Sequence, residues 1–194
     1  MHEVEARSDL IILSGRAGPV LARPMGVGTS DSSLVEAVRR GDREAFGHLY
    51  RLYAPTVHGI LLARVPYDEV QDLTQDVFLL ALNKLDTLRD GGAFGGWLAM
   101  IARNHAMNYH RRPHRYEELT EEVAQPDQLE TRAREILAMI QSLPEAYRET
   151  LVLRLVEGMS GAEIAQRTGL KADSVRVNLH RGMKLLREMY RGGK

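Results

Sequence analysis

Arg176, Arg181, Lys184 and Arg187 cluster near the C-terminal end of the chain. They lie largely off an apolar stripe formed by Val175, Leu179 and Leu186, at spacings of four and seven. Just upstream, Ser160 and Glu163 form an S-x-x-E capping box, which satisfies two orphan backbone donors at a helix start. Ile164 and Ala165 point inward there, and Ala165 is small enough for two helices to cross closely. Gly169 follows where the chain must turn sharply, a position that favours positive φ. A short helix, a glycine turn and a basic amphipathic helix suit insertion into a DNA major groove. From residue 167 onward there are eight Lys or Arg against two acids, a local excess that favours a polyanion. Lys171 stands where the second helix should be capped and is a poor cap. The same pattern also describes an ordinary helical hairpin with a solvated basic face.

A second group of side chains differs in kind. Trp97, Asn104, Asn108 and Arg111 recur at spacings of seven, four and three, which places them on one helix face with Tyr109 and Arg112 nearby. Aromatic faces stack on unpaired bases and amides read base edges, so this surface suits opened DNA. The competing assignment makes Trp97 and Tyr109 core residues and Asn104 a solvated helix position.

The elements that must hold these groups all carry helical periodicity. Asp31–Ser33 are good cap residues, and Leu34, Val35 and Val38 begin an apolar face that Gly41-Asp42 interrupts. Phe46, Leu49, Tyr50 and Tyr53 resume it, and Pro55 is expected near a new helix start. From Pro66, one stripe is formed by Val70, Leu73, Val77, Leu80 and Ala81, beside a second of Phe78, Leu82 and Leu85. Asp72, Gln75, Asp76, Leu79 and Asn83 complete a mostly polar face. Arg89–Gly96 is a glycine-rich loop, and the next helix turns Phe94, Leu98, Ile101 and Ala102 inward until Pro113 stops it. Leu129, Ala133, Ile136, Leu137 and Ile140 begin a second helical group. Ser142 and Glu145 offer another capping box around Pro144, and Tyr147, Leu151 and Leu155 carry the helix that Gly158 ends. No strand alternation is found. The expected fold is all-α: two small helical domains joined by a flexible linker.

Composition narrows the function class. The 194 residues allow one or two small domains. There is no cysteine, which excludes disulfides, thiolate metal sites and a Cys nucleophile. No run approaches the ~18 apolar residues of a membrane span, so no membrane insertion is expected. Residues 1–30 read as a disordered extension, within which Met25 is a candidate true start. Net charge is zero, yet unevenly spread. Residues 31–90 carry seven basic and ten acidic groups, residues 91–112 three and none, residues 113–128 one and five, and residues 129–194 twelve and eight. Two basic surfaces separated by acidic ones suit a protein that binds free DNA weakly and needs a partner to present it. His105, His110 and His114 lack supporting cysteines, and Pro113 breaks their register, so no metal is expected. The glycines of Met25–Ser30 lack a G-K-[ST] continuation, so no nucleotide or other cofactor is expected. No base–nucleophile constellation marks an enzyme.

Three stretches in order, DEVQDLTQDVFLLALNKL (68–85), FGGWLAMIARNHAMNYHRR (94–112) and LPEAYRETLVLRLVEGMSGAEIAQRTGLKADSVRVNLHRGMKLL (143–186), resemble RNA polymerase sigma factors of the sigma-70 family. The short two-domain form resembles the extracytoplasmic-function (ECF) group. The resemblance implies a sigma-2 domain over 31–112, an acidic linker over 113–128 and a sigma-4 helix-turn-helix domain over 129–191. It implies core polymerase docking through Asp72, Leu73, Gln75, Asp76, Val77, Phe78 and Leu79. It implies melting and reading of a −10 element through Arg89, Phe94, Trp97, Asn104, Asn108, Arg111 and Arg112. A −35 element would be read by Ser174, Arg176, Asn178, His180 and Arg181, with Lys171 and Lys184 on phosphate. Promoter DNA, core polymerase and an anti-sigma factor are the implied partners, in the cytoplasm, and the chain itself would catalyse nothing. Departures stand out: Gly95-Gly96 replace the family's common Arg-Thr or Arg-Ala before the tryptophan, and His105 and His110 replace aliphatic residues. Val177, Asn178, Gly182 and Met183 also replace commoner choices in the recognition helix. A stand-alone dimeric helix-turn-helix regulator, or a protein-binding scaffold with a vestigial motif, would share parts of the pattern.

Overall fold

The computed structural model describes residues 30–111 and 128–192. Residues 113–127 of the expected linker, His114 among them, together with Arg112 and the first 29 residues, lie outside the described residues, and Gln128 already belongs to the next helix. Among those described, the chain forms α-helices joined by short 3₁₀ turns and loops, with no strand. The first unit contains α1 (Asp31–Arg39), α2 (Arg43–Leu62), α3 (Val70–Lys84) and α4 (Phe94–Arg111). The second contains α5 (Gln128–Ser142), α6 (Glu145–Leu155), α7 (Gly161–Thr168) and α8 (Ala172–Gly192).

Local chemistry sets most of the boundaries. Ser30 caps α1 by accepting from the Ser33 amide, one residue ahead of the expected cap. Asp42 caps α2 by accepting from the Glu44 and Ala45 amides. Pro55 does not start a helix; it lies inside α2, which runs unbroken to Leu62. An interior proline costs about 3 kcal/mol. Here Leu49, Tyr53, Val57, Ile60, Leu61 and Leu62 are all buried, each worth about 1.5–3 kcal/mol, and that burial outweighs the local cost. The expected box at Ser142 and Glu145 does not form. Pro144 occupies the cap position of α6, and the Ser142 hydroxyl instead donates to the Met139 carbonyl at 2.7 Å. The box at Ser160 and Glu163 does form, with Ser160 N–H donating to Glu163 Oε2 at 2.8 Å and the Glu163 amide to Ser160 Oγ at 3.2 Å. The Ser160 N–H and the Ser160 hydroxyl, which donates to the same Oε2 at 2.7 Å, hold the Glu163 carboxyl below its usual range.

Helix α2 is the hub of the first unit, with α1, α3 and α4 packed around it. In the second unit α6 and α8 pack together, α5 covers α6, and α7 crosses α8. Leu153, Met159, Ile164 and Val175 form the small core of the helix-turn-helix. The two units also meet. Helix α6 packs on α2 and α7 on α4, so one apolar cluster runs from Leu34 in the first unit to Leu186 in the second. Ser160→Ala is expected to destabilise the second unit by about 1 kcal/mol, measurable as a lowered urea midpoint; an unchanged midpoint would mean that the box is energetically idle.

Candidate nucleic-acid and partner interfaces

Helix α8 begins at Ala172, directly after Lys171. Gly169, with φ +72°, makes the left-handed turn between α7 and α8. Val175 and Leu186 are buried, and Gly182 sits so tightly on Leu151 and Tyr147 that an added Cβ would lie 3.0 Å from Leu151 Cδ1. These contacts fix the helix on its inner side. Lys171, Ser174, Arg176, His180, Arg181 and Lys184 are exposed, and Asn178 is half-buried. Arg176 pairs with Asp173 at 3.2 Å, a solvent-exposed pair worth little. A rigid helix presenting cations, a hydroxyl and an amide to solvent has the means to contact phosphates and base edges.

Helix α4 presents a second surface. Asn104, Asn108 and Arg111 are exposed along one side, and Arg89 is exposed in the preceding loop. Met100 and Met107, each 49% exposed, extend the same face, although neither carries an aromatic, amide or cationic group that would mark it in the sequence. Trp97 is half-buried, its ring 5.9 Å from that of Phe94, so it belongs partly to the core and partly to the face. Phe94 is the exception among the expected groups. It is 1% exposed and packs edge-on against Tyr53 at 5.2 Å, so in this structure it is a core residue, unable to touch DNA.

Helix α3 divides cleanly. Leu73, Val77 and Phe78 close the core, the Phe78 ring tilted at 50° against that of Tyr50 with centroids 4.5 Å apart. The expected docking set therefore splits, and these three are structural here. Asp72, Gln75, Asp76 and Leu79 are exposed on the opposite side, with Leu82 and Asn83 continuing the face. Leu79, at 58%, is the most exposed large apolar side chain among the described residues. An acidic, amide-bearing ridge around one apolar anchor fits a basic partner surface. His105 borders that ridge from α4, its Nε2 lying 3.6 Å from Asp76 Oδ2. His110 Nε2 donates to the Arg64 carbonyl at 2.8 Å.

Comparisons with known proteins identify the family. Residues 49–116 match the model of sigma-70 region 2, and residues 133–186 that of sigma-70 region 4. The ECF RNA polymerase sigma-E factor of Escherichia coli K12 is 32% identical over 176 residues, covering 81% of this chain and 92% of that protein. The chain belongs to the sigma-70 family of RNA polymerase sigma factors, in its ECF group. The sigma-E factor of Haemophilus influenzae is 30% identical over 176 residues, covering 81% of this chain and 93% of its own length. A solved structure of CnrH in complex with the cytosolic domain of CnrY shares the fold, with a TM-score of 0.60 and 24% identity over 84% of this chain and 99% of that one. This ECF sigma factor is thus an all-α, promoter-recognising initiation factor with sigma-2 and sigma-4 domains. Sigma factors direct an enzyme and are not enzymes themselves.

Sequence reasoning passed over the charged groups where the two domains meet. Glu149, 4% exposed, accepts from Arg64 Nη2 at 2.6 Å and from Arg103 Nη2 and Nε at 2.6 and 3.0 Å. Arg64 also reaches Glu145 at 3.3 Å, and Arg103 Nη2 approaches the Thr168 carbonyl at 3.4 Å. Glu157, equally buried, meets His58 Nδ1 at 2.6 Å. The only sequence signal was two acids, Glu149 and Glu157, on either side of an apolar run. Burial alone would raise the Glu149 carboxyl, but the hydrogen bond from Arg103 and the charges of Arg64 and Arg103 hold it below the ordinary range. A depressed folded-state value means that this stabilisation is complete above the unfolded value of about 4.3 and is lost as pH falls through the folded one. The wild-type protein should therefore lose stability on acidification below about pH 4.3 more steeply than Glu149→Gln. At neutral pH the variant should be less stable by about 3 kcal/mol. Parallel pH profiles in thermal melts would refute the assignment.

Proposed function

We propose that this sigma factor docks on core RNA polymerase through the exposed ridge of α3, with Asp72, Gln75 and Asp76 facing a basic surface and Leu79 as the apolar anchor. Asn104, Asn108, Arg111 and Arg112, together with Arg89 and the exposed edge of Trp97, engage a −10 element and stabilise its opened strand. A base leaving the stack costs a few kcal/mol, offset by aromatic stacking and edge contacts. Ser174, Arg176, Asn178, His180 and Arg181 read a −35 element in the major groove, while Lys171 and Lys184 contact phosphate. The protein works with polymerase in the cytoplasm, and an anti-sigma factor restrains it.

One observation carries this reading. Three exposed surfaces of different chemistry, acidic on α3, amide and cationic on α4 and basic on α8, occupy three separate helices of one chain whose family directs promoter recognition. A simple operator-binding dimer has no use for the first two. The deciding experiment is run-off transcription with core polymerase and a broad library of templates. Start-site selection that depends on this chain supports the reading; its absence removes it. Arg176→Ala is expected to cost about 1–3 kcal/mol at a single promoter position, measured by binding across a mismatch series. A uniform loss over all sequences would reassign Arg176 to phosphate. Asp76→Arg should weaken polymerase binding at least tenfold and leave promoter affinity nearly constant; unchanged polymerase affinity would dismiss α3 as the docking ridge.

A further inference from the structure

Val177 stands in the second turn of α8 and is 39% exposed. It faces straight away from the core of its domain. Nine residues, about two and a half helical turns, separate it from the buried Leu186, so the two side chains point to opposite sides. Val175, also buried, lies about 200° from it around the axis. Ser174, Arg181 and Lys184 stand three residues before, four after and seven after, so they share its outward row, and all three are exposed. Arg176, its chain neighbour, is exposed as well. Among the described residues, one other large apolar side chain of α8 is exposed, Met189. It is twelve residues away, about 18 Å along the axis, so the two do not form one patch.

A single apolar group ringed by cations is a poor anchor for a protein groove, and the ring of positive charge favours a polyanion. The early turns of a recognition helix are the part that meets base edges. A valine in a helix keeps essentially one χ1 rotamer, so its two methyl groups are presented rigidly. The major groove shows them donors, acceptors and one apolar group, the C5 methyl of thymine. A G·C pair beneath the same side chain would lose water from its polar edge and gain no partner. We infer that Val177 is a thymine reader: its methyl groups pack against the C5 methyl of one thymine in the −35 element and disfavour a G·C pair at that step. The inference rests on the −35 reading of α8 proposed above and adds to it the identity of one base pair.

Uracil pairs as thymine does and lacks only the C5 methyl, so it isolates this contact. Holoenzyme assembled from the full chain and core polymerase is titrated onto promoter duplexes. In each duplex one thymine of the −35 element, on either strand, is replaced by uracil. Wild-type protein should lose about fourfold in affinity at one position, the worth of one buried methyl-sized group. Val177→Ala shortens an exposed side chain and leaves the helix intact. It should bring the uracil penalty at that position below about 1.5-fold and relax the base preference there. A −35 preference that contains no A·T pair, that no uracil weakens, or whose uracil penalty survives Val177→Ala overturns the thymine contact and leaves the −35 reading standing. If Val177→Ala weakens core polymerase binding while uracil stays neutral, the side chain belongs to a protein surface and the contact is likewise overturned. Equal affinity for intact and scrambled −35 sequences condemns the −35 reading itself, and the contact with it. The uracil series on wild-type protein needs no variant, so it decides even where Val177→Ala fails to fold.

Discussion

One carboxylate, Glu149, accepts hydrogen bonds from two guanidinium groups that reach it from the other domain. Arg64 arrives from the end of α2 and Arg103 from the middle of α4, so a single buried group fixes both helices against α6. A charge removed from water this completely is stable only when its partners stay in place. The apolar packing beside it is non-directional. The clasp supplies direction, setting which face of α6 meets α2 and therefore where the helix-turn-helix lies relative to α4.

The rest of the second domain follows from that placement. Leu151, Val152, Leu153, Leu155 and Val156 are all buried, which is the pattern of a helix enclosed on every side. Helices α5 and α8 cover α6 from within its own domain, and α2 covers it from the other. The surfaces assigned to polymerase and DNA are left outside this packing. The exposed ridge of α3 and the exposed sides of α4 and α8 remain open to solvent.

Much of this was legible in the residues. The helical periods of α3, α4 and α8, the Ser160–Glu163 box and the Gly169 turn all rest on local chemistry, which is written at short spacing. The inward set of α4 was also readable, because Phe94, Leu98 and Ala102 keep one period. That same period puts Phe94 inside, against the role that the family resemblance implies for it. Leu73, Val77 and Phe78 hold positions of the docking motif that the resemblance implies, yet burial gives them to the core. Pro55 departs from the local rule because long-range packing holds its helix together. The Ser142 box failed because Pro144 took the cap position. The Glu149 clasp was beyond reach, since its arginines are 85 and 46 residues away and nothing in their spacing announces the pairing.

The enclosure of α6 has a consequence for the life of the protein. A copy whose halves have separated bares a strip of leucine and valine that water solvates poorly, and such strips invite self-association and protease attack.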